Sequence, residues 1–557
     1  MPVELNMAAT ITAVARSHPD RAAITQGERS LSYGQFTDRA RRLARYLHDA
    51  GLGCHTDRAE LAGHQSGQHL LAQYLHNGVE YVEGLLGSYL ARVAPFNVNY
   101  RYQPDELRYL LRDSGPSVIQ YHQCFAPMLG QILDDLPNRP ALLQVADGSG
   151  EPLLPGAVDY EQALASAPPV LDLELSPDDL YIIYTGGTTG MPKGVLWRQA
   201  DVAVTTMSAT NRRANREWDS VEELVQAIPA QPHRVLPCAP LMHGAAQWAV
   251  LQTLLEGGTV VLPEQATTFE AAHVLDTVAR HRVTAMTIVG DAFARPLTDQ
   301  LERGRYDLSS LKVIVSGGAA LSPEGKRRLI ELIPGLRVRE TIGSSESGIQ
   351  GSQQSDVDTK AGSEAGAPRF QPGPKTVVVS PDLSRFLAPG HDGTGWIASS
   401  GRIPLGYLGD EQKTATTFPV VAGRRVSIPG DRARLLPDGT IELLGRDSMT
   451  INSGGEKVFV EEVEAVLKSH PEVVDAVVCA RPSERWGAEV AAVVVGPAVG
   501  VEELLEYCRS RLSRYKVPKT IHFVEEVRRS AAGKPDYRWA IGLVRETDQP
   551  PSQQRTA

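Results

Sequence analysis

Cysteine is scarce in this chain. The 557 residues include five cysteines, at positions 54, 124, 238, 479 and 508. They are scattered, odd in number and contain no CxxC pair, so neither a disulfide framework nor a zinc site is indicated. A reducing compartment such as the cytoplasm fits this composition best.

Long apolar runs and a surplus of basic residues are also missing. No run approaches the roughly 18 apolar residues that a membrane helix needs, and residues 1–6 lack the basic region and apolar core of a signal peptide. We therefore expect a soluble, intracellular protein. The formal net charge of −10 disfavours a general nucleic-acid or membrane-surface binder, which needs a basic face. An anionic substrate stays compatible, because a local group of donors can act against the global sign.

The most informative stretch is residues 181–195, which read YIIYTGGTTGMPKGV. Its first half is apolar, aromatic and β-branched, and this predicts a buried strand. A loop of glycines and threonines follows, and Lys193 adds a positive charge. Glycines let backbone N–H groups approach an anion closely, so this is a candidate phosphate-binding loop. It matches neither a Walker A loop nor a GxGxxG fingerprint, and taken alone an ordinary Gly/Thr turn explains it as well.

The rest of the chain alternates short apolar strands with helical patterns, which predicts an α/β fold with ligand loops at the strand ends. The length allows more than one domain. We expect a large N-terminal domain (residues 1–445) of layered α/β subdomains plus a β-rich subdomain. A small, mobile C-terminal α+β domain (residues 446–547) should follow, and residues 548–557 should form a disordered tail.

Some local predictions are more specific. Apolar residues at helical spacing predict a helix over residues 33–49, and residues 201–216 also have a helical pattern. Residues 351–371 are polar and Gly-rich, as expected for a mobile loop. The polar stretch 54–68 is predicted to be a surface loop, in which His55 and His64 are exposed rather than metal ligands.

Several downstream segments carry residues suited to nucleotide chemistry, although each has an ordinary structural explanation alone. The SGGAA segment at 316–320 has small residues that can lie against a flat ring or form a tight turn. Glu346 is a lone carboxylate that could bind Mg²⁺ beside phosphates or be a solvated loop residue. Asp431 and Arg446 could contact a ribose, or form a common turn and a surface ion pair. Lys534 presents a cation from a small-residue loop, although most terminal lysines only increase solubility.

In order and combination these segments resemble the adenylate-forming superfamily: acyl-CoA synthetases, firefly-luciferase-like enzymes and peptide-synthetase adenylation domains. The resemblance covers almost the whole chain, from the TGGTTG loop to the Gly-Lys pair at 533–534. It is closest to bacterial fatty-acyl and steroid-side-chain acyl-CoA synthetases, through NVNYRY (97–102), TIVGDAF (287–293) and GGEKV (454–458).

The resemblance implies two half-reactions. A substrate carboxylate attacks the α-phosphorus of ATP to give an acyl-adenylate and pyrophosphate, and the thiol of CoA then displaces AMP. ATP, Mg²⁺ and CoA are therefore implied, with a carboxylic acid as the other partner and no nucleic acid. A homodimer is one option for the assembly.

The resemblance also implies a role for each residue that matches a family motif. Three of these residues are expected to be catalytic: Lys534 between the substrate carboxylate and the α-phosphate, Glu346 on Mg²⁺, and His243 at the mouth of the acyl pocket. The others are expected to contact the nucleotide or the thiol: Thr185, Gly186, Gly187, Thr188, Thr189 and Lys193 at the β- and γ-phosphates, Ser345 at the α-phosphate, Gly317, Gly318 and Ala319 at the adenine, Asp431 and Arg446 at the ribose, and Gly455 towards the thiol channel.

Two further expectations depend on the same resemblance. The small domain should rotate between the half-reactions about a pivot at Asp447 and Ser448. The acyl pocket should be shaped by Trp248, Val289, Gly290 and Phe293, although ordinary core packing explains each of these residues equally well.

The acceptor is the least constrained part of this interpretation. Segment 243–248 has no aspartate to pair with a substrate ammonium, which disfavours an α-amino acid. Some relatives in natural-product pathways transfer the activated group to an amine or carry out nitrite-dependent diazotisation of aryl amines, and the polar stretch 54–68 keeps that alternative open. A nucleotide-binding remnant without activity would be expected to lack Glu346, Asp431 or Lys534. All three residues are present, which disfavours this alternative. A Ser/His hydrolase that uses His243 and Ser344 is disfavoured, because the sequence has no GxSxG elbow.

Overall fold

The computed structural model describes residues 2–185, 191–207, 209–265, 267–357, 368–446, 449–453, 456–483, 487–496, 499–512, 514–529 and 533–546. Five expected site residues (Gly186, Gly187, Thr188, Thr189 and Gly455) lie outside these ranges. The expected pivot at Asp447 and Ser448 and the expected tail also lie outside them.

The first part of the chain alternates strands and helices, as its sequence predicts. Its elements are α1 (Met7–Ser17), β1 (Ala22–Gln26), β2 (Arg29–Ser32), α2 (Tyr33–Asp49), β3 (Leu70–Tyr74), α3 (Val79–Leu90), β4 (Ala94–Asn97), α4 (Pro104–Ser114), β5 (Val118–His122), α5 (Ala126–Gly130), β6 (Ala141–Val145), β7 (Ala157–Asp159) and α6 (Tyr160–Ser166). The predicted helix over 33–49 is confirmed as α2. Ser32 and Gln35 form a capping box at its start, and Phe36, Leu43 and Leu47 bury its apolar stripe.

Five of these strands form a parallel sheet in the order β4-β3-β5-β6-β7. Every residue of β3 and β5 is buried, as expected for a parallel sheet that is covered on both faces. Parallel strands place their carboxyl ends at one edge, so the loops after β3, β4, β5 and β6 lie together there. Arg101 and Tyr100 follow β4 at this edge.

The second part of the chain supplies a larger sheet and the strands around the candidate phosphate loop. Its elements are β8 (Leu180–Thr185), β9 (Lys193–Arg198), α7 (Gln199–Thr206), β10 (Thr210–Asn211), β11 (Arg216–Glu217), α8 (Val221–Gln226), β12 (Arg234–Pro237), α9 (Gly244–Leu255), β13 (Thr259–Leu262), α10 (Ala271–Arg280), β14 (Ala285–Ile288), α11 (Asp291–Arg303), β15 (Val313–Gly317), α12 (Pro323–Leu332), β16 (Arg337–Ser344) and β17 (Gly348–Ser355). Strands β1, β13, β12, β14, β15 and β16 pair in parallel in that order.

The third part is the expected β-rich subdomain. Its elements are β18 (Arg369–Pro372), β19 (Thr376–Val379), β20 (Gly395–Ser400), β21 (Gly406–Tyr407), α13 (Glu411–Thr417), β22 (Val420–Val421), β23 (Arg424–Ser427), β24 (Asp431–Leu435) and β25 (Ile441–Arg446). The antiparallel hairpin of β16 and β17 joins this part to the larger sheet through β18. Strand β21 instead pairs with β9, which pairs with β8.

The last part is a small α+β unit. Its elements are β26 (Ile451–Ser453), β27 (Glu456–Val458), α14 (Val460–Lys468), β28 (Asp475–Ser483), β29 (Gly487–Val495), α15 (Val501–Arg509), β30 (Thr520–Phe523) and α16 (Tyr537–Glu546). Its buried residues form their own hydrophobic clusters, and none of the clusters found among the described residues joins them to residues before 447. At the junction Arg446 N–H donates to Glu461 Oε1 at 3.2 Å. The domain boundary at 445/446 stays a prediction that this arrangement supports.

Two local predictions need correction. The helix over 201–216 is wrong beyond Thr206, because β10 and β11 pair as a short hairpin. The Asn211 side chain accepts a hydrogen bond from Ala214 N at 3.0 Å, and Asn215 has a left-handed φ of 51°. A side-chain-stabilised turn of this kind competes with helix continuation.

The second correction concerns residues 351–371, which are not a continuous loop: β17 runs through Ser355 and β18 begins at Arg369. The predicted surface loop at 54–68 agrees with the structure, because every residue from 54 to 66 is exposed or half-buried, with His55 exposed and His64 half-buried. The loop also packs against the segment before α13. His64 O accepts a hydrogen bond from Gly409 N at 2.8 Å. A Cβ on Gly63 would lie 2.4 Å from Leu405 O, so the backbones touch only because residue 63 is glycine.

The five cysteines are free thiols. None of the helices in the described ranges has the length and apolar character needed to cross a membrane.

One buried side chain ties the sheets together next to the candidate site. Asn97, at the end of β4, donates through Nδ2 to Tyr184 O at 2.8 Å and to Met242 O at 2.7 Å, and its Oδ1 accepts from Tyr184 N at 2.7 Å. Tyr184 is one residue before the last residue of β8, and Met242 precedes His243. The three hydrogen bonds therefore fix both the candidate phosphate loop and His243 relative to the parallel sheet.

We predict that Asn97→Ala lowers the free energy of unfolding by about 3 kcal/mol, because it leaves buried backbone groups of Tyr184 and Met242 without their partners. Urea unfolding followed by tryptophan fluorescence measures this change. Asn99→Ala is the matched control: Asn99 is partly exposed and accepts one local bond from Arg101 N, so we expect at most about 1 kcal/mol. Equal losses in the two variants would contradict the role assigned to Asn97.

Candidate active site

The two strands that flank the candidate phosphate loop are held close together. Thr185 and Lys193 are register partners across the antiparallel β8–β9 pair, so the loop between them begins and ends at adjacent positions. The Tyr184 hydroxyl donates to Asp113 Oδ2 at 2.8 Å. Thr185 and Lys193 are therefore placed at the ends of the loop as expected, while the loop glycines and threonines between them lie outside the described residues.

Lys193 forms an ion pair that the sequence did not predict. Its Nζ contacts Asp410 Oδ2, and the other oxygen of Asp410 accepts the backbone N–H of Lys413 at 2.8 Å, which caps α13. The hydrogen bond from Lys193 lowers the pKa of the Asp410 carboxyl. Asp113 also faces this lysine: burial raises the pKa of its carboxyl, while the Tyr184 hydrogen bond and then Lys193 oppose that shift.

Glu346 and Ser345 lie in the turn between β16 and β17, which several side chains hold in place. Trp197 Nε1 donates to Ser345 O at 2.8 Å, and Ser427 Oγ donates to Glu346 O at 2.5 Å. The Tyr407 hydroxyl donates to Glu346 Oε1 at 3.0 Å. These bonds fix the direction of a partly exposed carboxylate.

The segment expected at the adenine follows β15 in a tight turn. A Cβ on Gly317 would lie 2.6 Å from Thr341 Oγ1, and Gly318 has φ of +85°, so glycine is required at both positions. Ala319 follows, and the next carbonyl, Ala320 O, lies 2.3 Å from where a Cβ on Gly290 would be. Two glycine-dependent turns thus pack directly on each other.

Asp431 and Arg446 are cross-strand partners in the β24–β25 pair. Arg446 Nε lies 3.4 Å from Asp431 Oδ1. Burial raises the pKa of the Asp431 carboxyl, Arg446 opposes this, and the negative charge of Glu346 raises it further. The two residues expected at the ribose are therefore adjacent, and they lie within electrostatic range of the residue expected at Mg²⁺.

Lys534 completes this group from the C-terminal part of the chain. The Lys534 side chain is exposed, although enough protein atoms lie near its ammonium for desolvation to lower its pKa. Arg446 lowers the pKa further, whereas Glu346 and Asp431 raise it. The preceding Gly533, with φ of +71°, lies against residues 289–292 beside the expected acyl pocket: a Cβ there would be 3.2 Å from Ala292 Cβ and 3.4 Å from Val289 O.

His243 lies just before α9, within electrostatic range of Lys534. Burial lowers the pKa of its imidazole to about 4, and the positive charges of Lys534 and Arg101 contribute to that shift. Its Nε2 is buried without a hydrogen-bond partner among the described residues, as is Trp248 Nε1 one turn further along α9. Phe293 packs edge-on against Phe269 with ring centroids 4.7 Å apart. The expected pocket residues thus combine apolar walls with buried polar atoms.

The structure brings together Glu346, Asp431, Arg446, Lys534 and His243, which the sequence separates widely. Sequence reasoning missed Tyr407, Asp410 and the role of Asn97. The only local signal for Asp410 was its position after Gly409 and before a helical pattern, which is typical of a helix cap. Its contact with Lys193 depends on the β9–β21 pairing and has no local signature.

Comparison with known proteins agrees with this arrangement. Residues 11–408 match the family model described as AMP-binding enzyme, and residues 462–534 match the one described as AMP-binding enzyme C-terminal domain. Medium-chain acyl-CoA ligase Mig of Mycobacterium avium is 52% identical over 96% of this chain and 97% of its own. The Medium/long-chain-fatty-acid--CoA/3-oxocholest-4-en-26-oate--CoA ligase of Mycobacterium tuberculosis (strain ATCC 25618 / H37Rv) is 41% identical over 97% of this chain and 96% of its own.

A solved structure shows the same fold. ATP-bound MatB from Rhodopseudomonas palustris superimposes with a TM-score of 0.79 at 22% identity, covering 97% of this chain and 100% of that one. The expected α/β architecture, with a large N-terminal and a small C-terminal part, is confirmed.

We predict that the His243 imidazole stays neutral from pH 8 to well below its ordinary pKa of 6.5, because its pKa is about 4. Burial of the neutral imidazole therefore contributes fully to the free energy of unfolding above pH 6.5. This contribution is lost as the pH falls from 6.5 towards 4, because the unfolded chain binds a proton there that the folded chain does not. Imidazole NMR signals recorded across this range measure the titration. Lys534→Ala should raise the pKa of His243 by removing a nearby positive charge, whereas Lys519→Ala, at an exposed position, should not. Titration of wild-type His243 near 6.5 would contradict the prediction.

Proposed function

Because the chain belongs to the AMP-binding enzyme family, we propose that it is an ATP-dependent acyl-CoA ligase, an AMP-forming enzyme that activates a carboxylic acid and transfers the acyl group to CoA. The observation that carries this proposal is that Lys534 lies within electrostatic range of Glu346, Asp431 and Arg446, which come from distant parts of the chain. The names of the two mycobacterial relatives support it independently.

The first half-reaction brings two anions together, so nearby residues have to offset negative charge. A carboxylate oxygen of the acid bonds to the α-phosphorus, the bond to the bridging oxygen breaks, and pyrophosphate leaves with the electron pair. Lys534 would lie between the carboxylate and the α-phosphate as a localised positive charge. Arg446 and Asp431 would hold the ribose, and the turns at 317–319 would line the adenine.

Glu346 fits the implied Mg²⁺ site. Magnesium keeps several waters and takes phosphate oxygens, so one or two protein carboxylates are enough. Among the described residues no group of three or more His, Cys, Asp or Glu is arranged around a common metal position, which is compatible with a site completed by the substrate. The bound ion would neutralise charge on the phosphate oxygens. The Tyr407 hydroxyl orients the Glu346 carboxylate for this contact.

The packing of Gly533 against Val289 and Ala292 supports an assignment of this structure to the adenylation step, since it keeps Lys534 beside Glu346 and Asp431. Transfer to CoA needs space at the acyl carbonyl, so the segment that carries Lys534 would have to move away. The pivot at Asp447 and Ser448 and the approach of Gly455 to the thiol channel stay predictions.

We propose a medium- or long-chain fatty acid, or a steroid side chain, as the acid. Trp248, Val289, Gly290 and Phe293 would supply a mainly apolar pocket, and His243 Nε2 would meet the polar end of the acid as a neutral group. An enzyme that consumes ATP and CoA needs a compartment that provides both, which supports the cytoplasm. A homodimer stays a prediction.

The test is pyrophosphate release from a panel of carboxylic acids with and without CoA, followed by detection of the thioester. We expect the highest kcat/KM with medium- and long-chain acids, and an acyl-CoA product only when CoA is present. Release without any thioester would overturn the CoA assignment. Parallel reactions with amines, and with nitrite plus an aryl amine, identify the acceptor in that case.

We predict that Lys534→Ala slows adenylation by about 10²–10³-fold, because the charge that offsets the meeting anions is lost. Thioester formation from a supplied acyl-adenylate should change little. ATP–pyrophosphate exchange measures the first half-reaction, and single-turnover reaction of the adenylate with CoA measures the second. Lys519→Ala is the control in the same part of the chain. Equal loss of both half-reactions would count against this role.

A further inference from the structure

A short corner of the chain contacts two of the residues proposed to bind the phosphates and the metal. This corner, residues 406–411, consists of β21 and the start of α13. Tyr407 donates to Glu346 Oε1, and Asp410 pairs with Lys193. The proposed function places Glu346 at Mg²⁺ and the family resemblance places Lys193 at the phosphates, but neither gives a role to Asp410.

The position of Asp410 is firmly fixed. Strand β21 pairs with β9, the strand that begins at Lys193, and Leu408 N donates to Gly194 O at 2.8 Å. The 54–68 segment covers the corner through the bond from Gly409 N to His64 O, 2.8 Å long. The Asp410 carboxylate cannot follow a departing lysine, because its Oδ1 accepts the Lys413 N–H at 2.8 Å.

The Lys193 ammonium, by contrast, lies at the end of a long, flexible and half-exposed side chain. The side chains of Lys193 and Asp410 are 37% and 29% exposed. Ion pairs at this level of exposure contribute little net free energy and exchange partners easily. The other charged or titratable groups that face this pair are Asp113 and Tyr109 on α4, and Lys413 on α13.

We propose that Asp410 is a positioning residue that holds Lys193 while the phosphate loop carries no polyphosphate and binds it again as pyrophosphate leaves. This inference rests on the proposed function and on the role that the family resemblance implies for Lys193, which is to bind the β- and γ-phosphates. A fixed carboxylate beside the lysine competes with pyrophosphate for a single positive charge. Asp410 therefore weakens product binding and favours its release before the thiol arrives.

The test removes the charge of Asp410 and keeps the helix cap. Asn and Ser are both favourable N-cap residues, so Asp410→Asn and Asp410→Ser should fold with an intact α13. Isothermal titration of the full chain with magnesium pyrophosphate should show about two- to fivefold tighter binding in both variants. Product inhibition by pyrophosphate should strengthen by the same factor, while the second half-reaction from a supplied adenylate keeps its rate.

Two comparisons separate this role from a structural one. Asp159→Asn is the matched control, because Asp159 caps α6 through a bond from Gln162 N of 2.9 Å; it should leave pyrophosphate affinity unchanged. In a Lys193→Ala background most of the gain from Asp410→Asn should disappear. Weaker pyrophosphate binding in both Asp410 variants, or an equal gain without Lys193, would overturn the inference. Failure of the wild type to bind ATP or pyrophosphate would overturn the proposed function as well.

Discussion

The amide of Asn97 is the contact on which the geometry of the site depends most directly. One side chain hydrogen-bonds the backbone of β8 and the backbone before His243 from the end of a strand in the parallel sheet. The Asn97 side chain consequently fixes both the end of β8 next to the phosphate loop and the segment next to the expected acyl pocket. In the proposed function, the carboxylate would bind near His243 and the triphosphate near the end of β8, and three short hydrogen bonds of Asn97 hold these two backbone segments relative to each other.

The electrostatics of the site are balanced before any substrate binds. Lys534 and Arg446 face Glu346 and Asp431, so two positive and two negative charges lie within mutual influence. His243 adds no charge, because burial and the neighbouring cations keep it neutral. Lys193 is likewise paired, with Asp410. An anionic nucleotide therefore has to redistribute existing ion pairs, and the cations are already in position when it does so.

The sequence was sufficient where a pattern is local and insufficient where a contact is tertiary. Helix α2 followed from apolar spacing, and the proposed site residues were identified from their match to family motifs. The helix predicted over 201–216 failed because Asn211 and Asn215 stabilise a turn that the periodicity does not reveal. Tyr407 and Asp410 were missed because their partners, Glu346 and Lys193, are brought to them by strand pairing.

The hydrophobic clusters of the C-terminal unit are its own, among the residues that the structure describes. Its contacts with the rest of the chain include a glycine against backbone, a lysine among charged groups and a carboxylate on the Arg446 amide. Heat capacity changes when apolar surface meets water, and these contacts, of which only that of Gly533 with Val289 and Ala292 is partly apolar, expose little of it when they separate. Separation of the two parts would therefore be accompanied by a small heat-capacity change, so its enthalpy and entropy would stay nearly constant with temperature.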